Sequence, residues 1–278
     1  MSQPDLEELP SISRRIRGHI LRMSAQARAS HVGSALSCVD ILVSLYFRCA
    51  RVSPERQHDP ARDRVILSKG HASAALYACL AVRGYIPEAQ LASFCANGSA
   101  LQEHPARALV PGVEVSTGSL GHGLGVGAGL ALAARLRKLP STVIAVLSDG
   151  ECNEGSVWEA ALWAPAHNLK NLVAIVDYNK LQACGKSTEI TQLEPLAGKW
   201  SAFGWDTVEV DGHDFGQLVG ALEAPPRDVP RAIIAHTVKG KGVSFMEGNL
   251  EWHYRPPSQD DLRLALEELE ETHEGCLL

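Results

Sequence analysis

The sequence Ser148-Asp149-Gly150-Glu151-Cys152-Asn153-Glu154-Gly155 follows directly after residues 142–147, an apolar run with the length and β-branching of a buried parallel strand. Asp149 is therefore expected where a strand ends. Residues 157–163 then read as a helical segment, and a helix N-terminus at this place would favour an anion. Because open α/β sheets bind ligands beyond the carboxyl ends of their strands, this stretch predicts a ligand site there.

A second apolar strand is predicted over residues 172–176, and it runs into Asp177-Tyr178-Asn179. The two predicted strands thus deliver a carboxylate oxygen from Asp149 and an amide oxygen from Asn179 to neighbouring strand ends. Hard cations such as Mg²⁺ and Ca²⁺ take oxygen ligands, and Mg²⁺ is usually shared between a few protein oxygens and substrate phosphates. The local pattern predicts a metal–diphosphate site.

A simpler interpretation exists for the same residues. Asp-Gly after a strand is a common turn, and taken alone it is more often turn chemistry than a ligand site. The complete order of strand, Asp-Gly, helix, strand and asparagine is much rarer than the dipeptide. That order favours the ligand site.

Composition limits the classes of protein that fit. The 278 residues suffice for one large or two small α/β domains, and the contents of 45% hydrophobic and 21% charged residues are typical of globular proteins. A net charge of −6 without a Lys/Arg cluster argues against nucleic-acid binding. Seven cysteines without a C-x-x-C pair indicate neither a disulfide framework nor a zinc site. Since residues 1–8 lack signal-peptide features and no apolar run approaches membrane-spanning length, we expect a cytoplasmic protein.

The pattern of apolar residues and turn signals predicts alternating helices and strands without a linker or a repeat. This alternation predicts one α/β domain over residues 1–278, with a mainly parallel sheet flanked by helices. The predicted strands are residues 64–67, 142–147, 172–176, 205–210 and 231–236. The predicted helices are residues 5–29, 37–48, 72–82, 125–138, 157–163, 192–202 and 214–223, with a last helix after a capping box at 258–261.

Two glycine-containing regions stand out. Residues 97–119 have the composition of a long loop, and a loop of that length in a compact domain is usually functional. Residues 121–129 carry glycine at every second position inside a predicted helix, which suggests a close approach of backbone or ligand. The second region precedes a strand and contains no G-x-G-x-x-G, so it is not a dinucleotide-binding motif. Gly185-Lys186-Ser187 is not a P-loop either, because Lys180 occupies the position of the first glycine.

Four histidines lie in polar, glycine-containing loops between predicted elements: His31, His71, His104 and His253. A single loop histidine is more often structural or simply exposed. Four of them at element junctions favour a shared function, since histidine binds phosphate or alkoxide oxygens and moves protons near neutral pH. His19 and His167 lie within predicted helices and are interpreted as ordinary, partly buried residues.

Together these motifs resemble the N-terminal, diphosphate-binding part of transketolase, and the resemblance covers essentially the whole chain. The stretch from Ser148-Asp149-Gly150 to Asn179 resembles the thiamine diphosphate motif. The resemblance implies thiamine diphosphate as cofactor and a divalent ion, Mg²⁺ or Ca²⁺, bound by Asp149, Asn179 and the backbone carbonyl of Leu181. It also implies that the backbone N–H of Gly150 contacts the diphosphate.

The resemblance assigns roles to the loop histidines as well. His71 and His253 match histidines near the diphosphate and the reaction centre, and Lys239 is expected to face the same phosphate region. His31 and His104 match histidines that contact sugar hydroxyls and assist proton transfer. We therefore expect His31, His104 and His253 to be catalytic.

Three more positions match the family, and two depart from it. Gly118 and Leu120 correspond to residues that pack against the cofactor, and Glu154 to a catalytic glutamate at the subunit interface that couples two active sites. Ser148 replaces the first glycine of the motif but supplies no ligand atom. Tyr254 stands where glycine commonly follows the histidine, so the acceptor range is expected to differ more than the cofactor.

A full transketolase continues into pyrimidine-binding and C-terminal domains, whereas this sequence stops at residue 278. The resemblance therefore implies a two-component enzyme whose partner chain carries those domains, expected as a heterotetramer with two copies of each chain. The expected reaction moves a two-carbon ketol unit from a ketose or ketose phosphate to an aldose. The alternatives are an acyloin-forming or 2-oxo acid-decarboxylating thiamine enzyme and a non-catalytic scaffold subunit. The four histidines favour sugar chemistry, and the presence of Asp149 and Asn179 disfavours the scaffold.

Overall fold

The computed structural model describes residues 4–274, and the side chains up to residue 270. The strands are β1 (Arg64–Leu67), β2 (Val143–Ser148), β3 (Leu172–Tyr178), β4 (Asp206–Asp211) and β5 (Arg231–His236). The helices are α1 (Leu9–Ala27), α2 (Val32–Ser37), α3 (Val39–Val43), α4 (Ser73–Arg83), α5 (His122–Leu136), α6 (Gly155–Ala166), α7 (Ser187–Ile190), α8 (Leu196–Ala202), α9 (Phe215–Glu223) and α10 (Gln259–Glu274).

The five strands form one sheet in the order β1-β2-β3-β5-β4, and every pairing is parallel. The predicted α/β class with a mainly parallel sheet is therefore confirmed. In the register of β2 and β3, Ser148 pairs with Asp177, so the two strands end level with each other. Every residue of β2 is buried, which explains why this strand reads as a continuous apolar run.

Helices cover both faces of the sheet. Because successive strand residues point to opposite faces, Ile144 and Val146 pack into one hydrophobic core, whereas Val143, Ala145 and Leu147 pack into the other. The first core also takes residues of α1, α3, α4, α9 and α10, and the second takes residues of α5, α6 and α8. This double covering leaves the carboxyl ends of the strands free for a cleft.

Some helix boundaries differ from the predicted ones. The predicted helix over 37–48 is replaced by α2, α3 and a π-helical turn, Ser44–Cys49, with an irregular residue at Cys38. The break expected between the first two predicted helices covers residues 28–31, and the positive φ of 68° at His31 turns the chain directly into α2. The helix predicted over 192–202 begins only at Leu196, since Pro195 disfavours helical backbone in the residue before it.

The last predicted helix begins as its capping box indicates. The Ser258 backbone N–H donates to Asp261 Oδ2 at 2.9 Å, and the Asp261 N–H donates to Ser258 Oγ at 3.1 Å. Within residues 4–274, no helix combines the length and the apolar character needed to cross a membrane.

Candidate functional site

A cleft of about 430 Å³ opens at the carboxyl ends of the strands. It is bounded by the segments that follow β1, β2 and β3, by the loop before α5, and by the residues around His31 and His253. Every site residue predicted from the sequence lines this cleft, apart from Lys239, which lies just beneath it. The lining residues are His31, Ser34, His71, His104, Gly118, Leu120, Ser148, Asp149, Gly150, Asn153, Glu154, Asn179, Leu181, Gln182, Ala183, His253 and Tyr254.

Asp149 and Asn179 stand at the ends of the neighbouring strands β2 and β3. The Asp149 carboxylate is 1% exposed, and it accepts hydrogen bonds from the Gly150 N–H at 2.9 Å and from Ser187 Oγ at 2.6 Å. Asn179 Oδ1 accepts from the Leu181 N–H at 3.1 Å. The carboxylate, the amide and the Leu181 backbone are thus brought together as the strand order requires.

These donors fit a divalent cation. Burial raises the pKa of Asp149 to about 6, and the negative charge of Asp177 adds to that effect, while the hydrogen bonds from Ser187 and Gly150 oppose it. A bound cation would relieve the cost of burying this carboxylate. Carboxylate, amide and carbonyl oxygens are also the ligands that Mg²⁺ and Ca²⁺ prefer. Among the residues that the structure describes, no three His, Cys, Asp or Glu side chains are grouped to bind a metal.

Lys239 is fully buried beside this group. Its Nζ lies 2.8 Å from His253 Nδ1 and 3.3 Å from the Leu181 carbonyl oxygen. Burial lowers the pKa of Lys239 to about 8, and the charge of Lys69 acts in the same direction. Burial and the charge of Lys239 lower the pKa of His253 to about 3. His253 is therefore neutral at pH 7, accepts from the ammonium through Nδ1 and carries its proton on Nε2.

His31, His71 and His253 form one cluster. The ring centroid of His31 lies 5.2 Å from that of His71 and 5.1 Å from that of His253. Burial lowers the pKa of His31, and it lowers the pKa of His71 well below the usual value, with help from the charge of Lys69. The cleft thus presents neutral imidazoles. His104 is exposed on the cleft wall and takes no part in these ring contacts.

The loop before α5 packs tightly over the turn after β1. A Cβ added to Gly70 would lie 2.6 Å from the Gly118 backbone nitrogen, and one added to Gly118, whose φ is +144°, would lie 2.7 Å from His104 Cδ2. Only glycine fits both places. Leu120 lines the same wall, and Glu154 stands exposed at its rim.

Only some of the alternating glycines of α5 lie where another part of the chain comes close. A Cβ on Gly123 would meet Ser68, whereas Gly125 and Gly129 face open space with no atom within 4 Å. The expected close contact therefore holds at the start of α5 and not along its whole glycine run.

Buried polar groups beneath the cleft were not predicted from the sequence. The fully buried Lys69 forms an ion pair with Asp177 and donates to the Ser34 carbonyl at 2.9 Å. Asp177 also accepts from Ser37 Oγ at 2.6 Å and from Thr237 Oγ1. This ion pair joins the segment after β1 to the end of β3, and the hydrogen bonds with Ser34, Ser37 and Thr237 connect it with α2 and with the segment after β5. A lysine directly after an apolar strand was the only signal that could have indicated it.

Glu151 and Ser187 were also missed. Glu151 is fully buried, and it accepts from the Gly121 N–H at 2.8 Å, the Ser148 N–H at 3.3 Å and the Ser68 hydroxyl. It thereby connects the loop before α5 with β2 and with the turn after β1. Glu151 lies inside the motif stretch itself, and Ser187 belongs to the tripeptide rejected as a P-loop.

Tyr254 lies at the mouth of the cleft. Its side chain is 63% exposed, and its ring centroid lies 4.7 Å from that of His253 and 6.0 Å from that of His31. An aromatic wall therefore stands next to the histidine cluster, where glycine would have left the entrance open.

Comparison with known proteins agrees with this geometry. Residues 12–271 match the family described as transketolase, thiamine diphosphate binding domain. The chain belongs to the transketolase family and contains its thiamine diphosphate-binding domain. It is 44% identical over 267 residues to an apulose-4-phosphate transketolase subunit of Actinobacillus succinogenes, covering 95% of this chain and 97% of that one.

A second relative is the 6-deoxy-6-sulfo-D-fructose transketolase subunit SqwG of Clostridium sp., which is 40% identical over 270 residues, covering 96% of this chain and 97% of that one. Among solved structures, the transketolase of Campylobacter jejuni superimposes with a TM-score of 0.90 at 29% identity. That match covers 96% of this chain but 43% of the Campylobacter chain. The chain therefore spans less than half of the solved transketolase and nearly all of the two subunit relatives.

Proposed function

We propose that this chain is the N-terminal subunit of a two-component, thiamine diphosphate-dependent transketolase. The reaction transfers a two-carbon ketol unit from a ketose or ketose phosphate to an aldose. The observation that carries the proposal is the single cleft in which the oxygen donors of Asp149, Asn179 and Leu181 face the neutral cluster of His31, His71 and His253.

The metal and the diphosphate would be bound at the ends of β2 and β3. Asp149, Asn179 and the Leu181 carbonyl would hold Mg²⁺ or Ca²⁺, and the Gly150 N–H would contact the diphosphate. The buried Lys239 adds a positive charge next to the same carbonyl. His71, His253, Gly118 and Leu120 would line the remainder of the cofactor. When bound, thiamine diphosphate supplies the stabilisation of the carbanion.

The histidines would divide the substrate chemistry between them. Because Nδ1 of His253 accepts from Lys239, its Nε2–H suits donation to a substrate or phosphate oxygen. Between His253 and His104, the exposed His104 is thus better suited to accept the proton of the donor hydroxyl, and His31 would bind a neighbouring hydroxyl. Glu154, exposed at the rim, would couple two active sites by facing a second protomer.

The partner would contribute the pyrimidine-binding and C-terminal domains, in a heterotetramer with two copies of each chain. Two observations support this arrangement: both relatives are named as subunits of a transketolase, and this chain covers 97% of each of them. The two relatives are named for apulose 4-phosphate and for 6-deoxy-6-sulfo-D-fructose. Ketoses with an anionic group are therefore the first donors to test. Six unpaired cysteines among the described residues support a reducing compartment, the cytoplasm.

The test is reconstitution with the partner chain. We expect weak cofactor binding and no turnover by the chain alone, and ketol transfer when partner, thiamine diphosphate and Mg²⁺ are added. Asp149→Ala should abolish metal-dependent cofactor binding, measured by titration calorimetry. Robust activity of the single chain would contradict the two-component arrangement. Turnover of 2-oxo acids without ketol transfer would favour the other thiamine chemistry.

A further inference from the structure

His213, in the connection between β4 and α9, lies outside the cleft, and both of its ring nitrogens make hydrogen bonds. Its Nε2 lies 2.9 Å from the backbone N–H of Val238, and its Nδ1 lies 2.7 Å from Asp40 Oδ2. A backbone N–H can only donate, so Nε2 carries no proton. Nδ1 must then carry the proton and donate it to Asp40. These two hydrogen bonds select a single tautomer of the ring.

Asp40, on α3, is held on its other side by Arg17 of α1. Arg17 donates two hydrogen bonds to the Asp40 carboxylate, at 3.0 and 2.7 Å, and both side chains are buried. Although burial opposes ionisation, the charge of Arg17 and the hydrogen bonds from His213 and Arg17 lower the pKa of Asp40 below its usual range. Asp40 is therefore a permanent carboxylate that fixes the orientation of the His213 ring.

These three residues hold a backbone segment at two points. His213 accepts from the Val238 N–H, and Arg17 Nε donates to the Lys241 carbonyl oxygen at 2.9 Å. Lys239 lies between these two points. Its side chain passes over Gly33, where an added Cβ would lie 3.1 Å from Lys239 Cγ, and ends against His253 and Leu181.

We propose that His213 is a positioning residue for the diphosphate site and that it acts through the Val238 N–H to place the Lys239 ammonium. The proposal rests on the proposed function, since Lys239 is assigned to the phosphate region there. Arg17, Asp40 and His213 do not line the cleft. Their effect on cofactor binding is therefore transmitted by the backbone of residues 238–241.

Two substitutions each remove one of the two hydrogen bonds that the His213 ring makes. In His213→Asn the side-chain amide can still donate to Asp40 but cannot reach Val238. In His213→Gln the amide oxygen can still accept from Val238, while Asp40 keeps its two bonds from Arg17. Each variant loses one hydrogen bond, so we expect similar losses in melting temperature. We expect His213→Asn to weaken thiamine diphosphate binding about tenfold in Mg²⁺ and His213→Gln to change it by less than about threefold. Equal effects of the two variants on the dissociation constant would overturn the proposal.

A double-mutant cycle tests whether Lys239 is the residue through which His213 acts. In a Lys239→Met background, His213→Asn should have no further effect on the dissociation constant. Additive losses would refute the proposed route. A wild-type chain that binds no thiamine diphosphate would instead refute the proposed function itself.

A measurement on the wild-type chain needs neither variant nor cofactor. Nitrogen-15 NMR of the histidine ring should show His213 protonated at Nδ1 and unprotonated at Nε2. A proton on Nε2 in the folded chain would overturn the proposal whatever the variants do.

Discussion

Replacing Asp149 with asparagine should stabilise the metal-free chain at neutral pH. Burial raises the pKa of Asp149 from the ordinary value of 3.8 to about 6. Each pH unit between those values corresponds to 1.36 kcal/mol, so the ionised carboxylate lowers the free energy of unfolding by up to about 3 kcal/mol. Asparagine has the same shape and keeps an oxygen for the Gly150 N–H, but it carries no charge.

The pH dependence follows from the direction of the shift. Between pH 4 and pH 6 the folded chain binds the Asp149 proton more tightly than the unfolded chain does. The stability that this carboxyl contributes is therefore fully present below about pH 4, falls as the pH rises to about 6, and stays low above it. The variant has no carboxyl group at position 149, so its stability lacks this dependence on pH. Its advantage over the wild type should be close to zero at pH 4 and about 1–3 kcal/mol at pH 7.5.

Urea denaturation in EDTA, at a series of pH values from 4 to 8, measures this difference. A variant that is less stable than the wild type at pH 7.5, or a difference independent of pH, would refute the reasoning. Adding Mg²⁺ and thiamine diphosphate provides the second half of the test. At a hundred times the dissociation constant they should stabilise the wild type by about 2.7 kcal/mol and leave the variant unchanged. With cofactor and Mg²⁺ added, the wild type would then be as stable as the variant or more stable.

Three further substitutions test other parts of the cleft. Tyr254→Gly should change the ratio of kcat/KM between short and long aldose acceptors without changing cofactor affinity; the opposite result would contradict its place at the mouth. Lys69→Met should cost about 3–5 kcal/mol in urea denaturation, because it leaves the buried Asp177 carboxylate unpaired, and adding Asp177→Asn should recover part of that loss. If the second substitution recovers none of the lost free energy of unfolding, the ion-pair account is refuted. Gly70→Ala should weaken thiamine diphosphate binding at least about tenfold by displacing the loop before α5, whereas the control Gly129→Ala should stabilise the chain by about 1 kcal/mol. If the Gly70 variant binds thiamine diphosphate as tightly as the wild type, the loop before α5 can move more easily than its packing indicates.

Much of the fold could be predicted because its signals are local. The strands β1, β2, β3 and β5 are short apolar runs bounded by turn residues, and all five predicted strand ranges lie within two residues of the observed ones. Parallel order then follows from their alternation with helices. The same logic brings Asp149 and Asn179 to adjacent strand ends, so the position of the site could be predicted along with the sheet.

The rest depends on pairing between distant residues. Lys69 and Asp177 form their ion pair across 108 positions of sequence, and Asp40 and His213 across 173. No periodicity or spacing in the sequence indicates which buried charged side chain pairs with which other one. The break between α2 and α3 is also set by packing, since the apolar residues of 37–48 would equally suit one continuous helix. The roles assigned to the cleft residues stay predictions that the experiments above address.

The contact between His31 and His253 has a consequence for when the cleft can be completed. The backbone N–H of His31 donates to the carbonyl oxygen of His253 at 2.7 Å, which closes a loop comprising most of the chain. Such a closure forms late, because its entropy must be offset by contacts already made. A nascent chain still short of His253 has no complete cleft. The residues that line the cleft therefore come together only when nearly the whole chain is present.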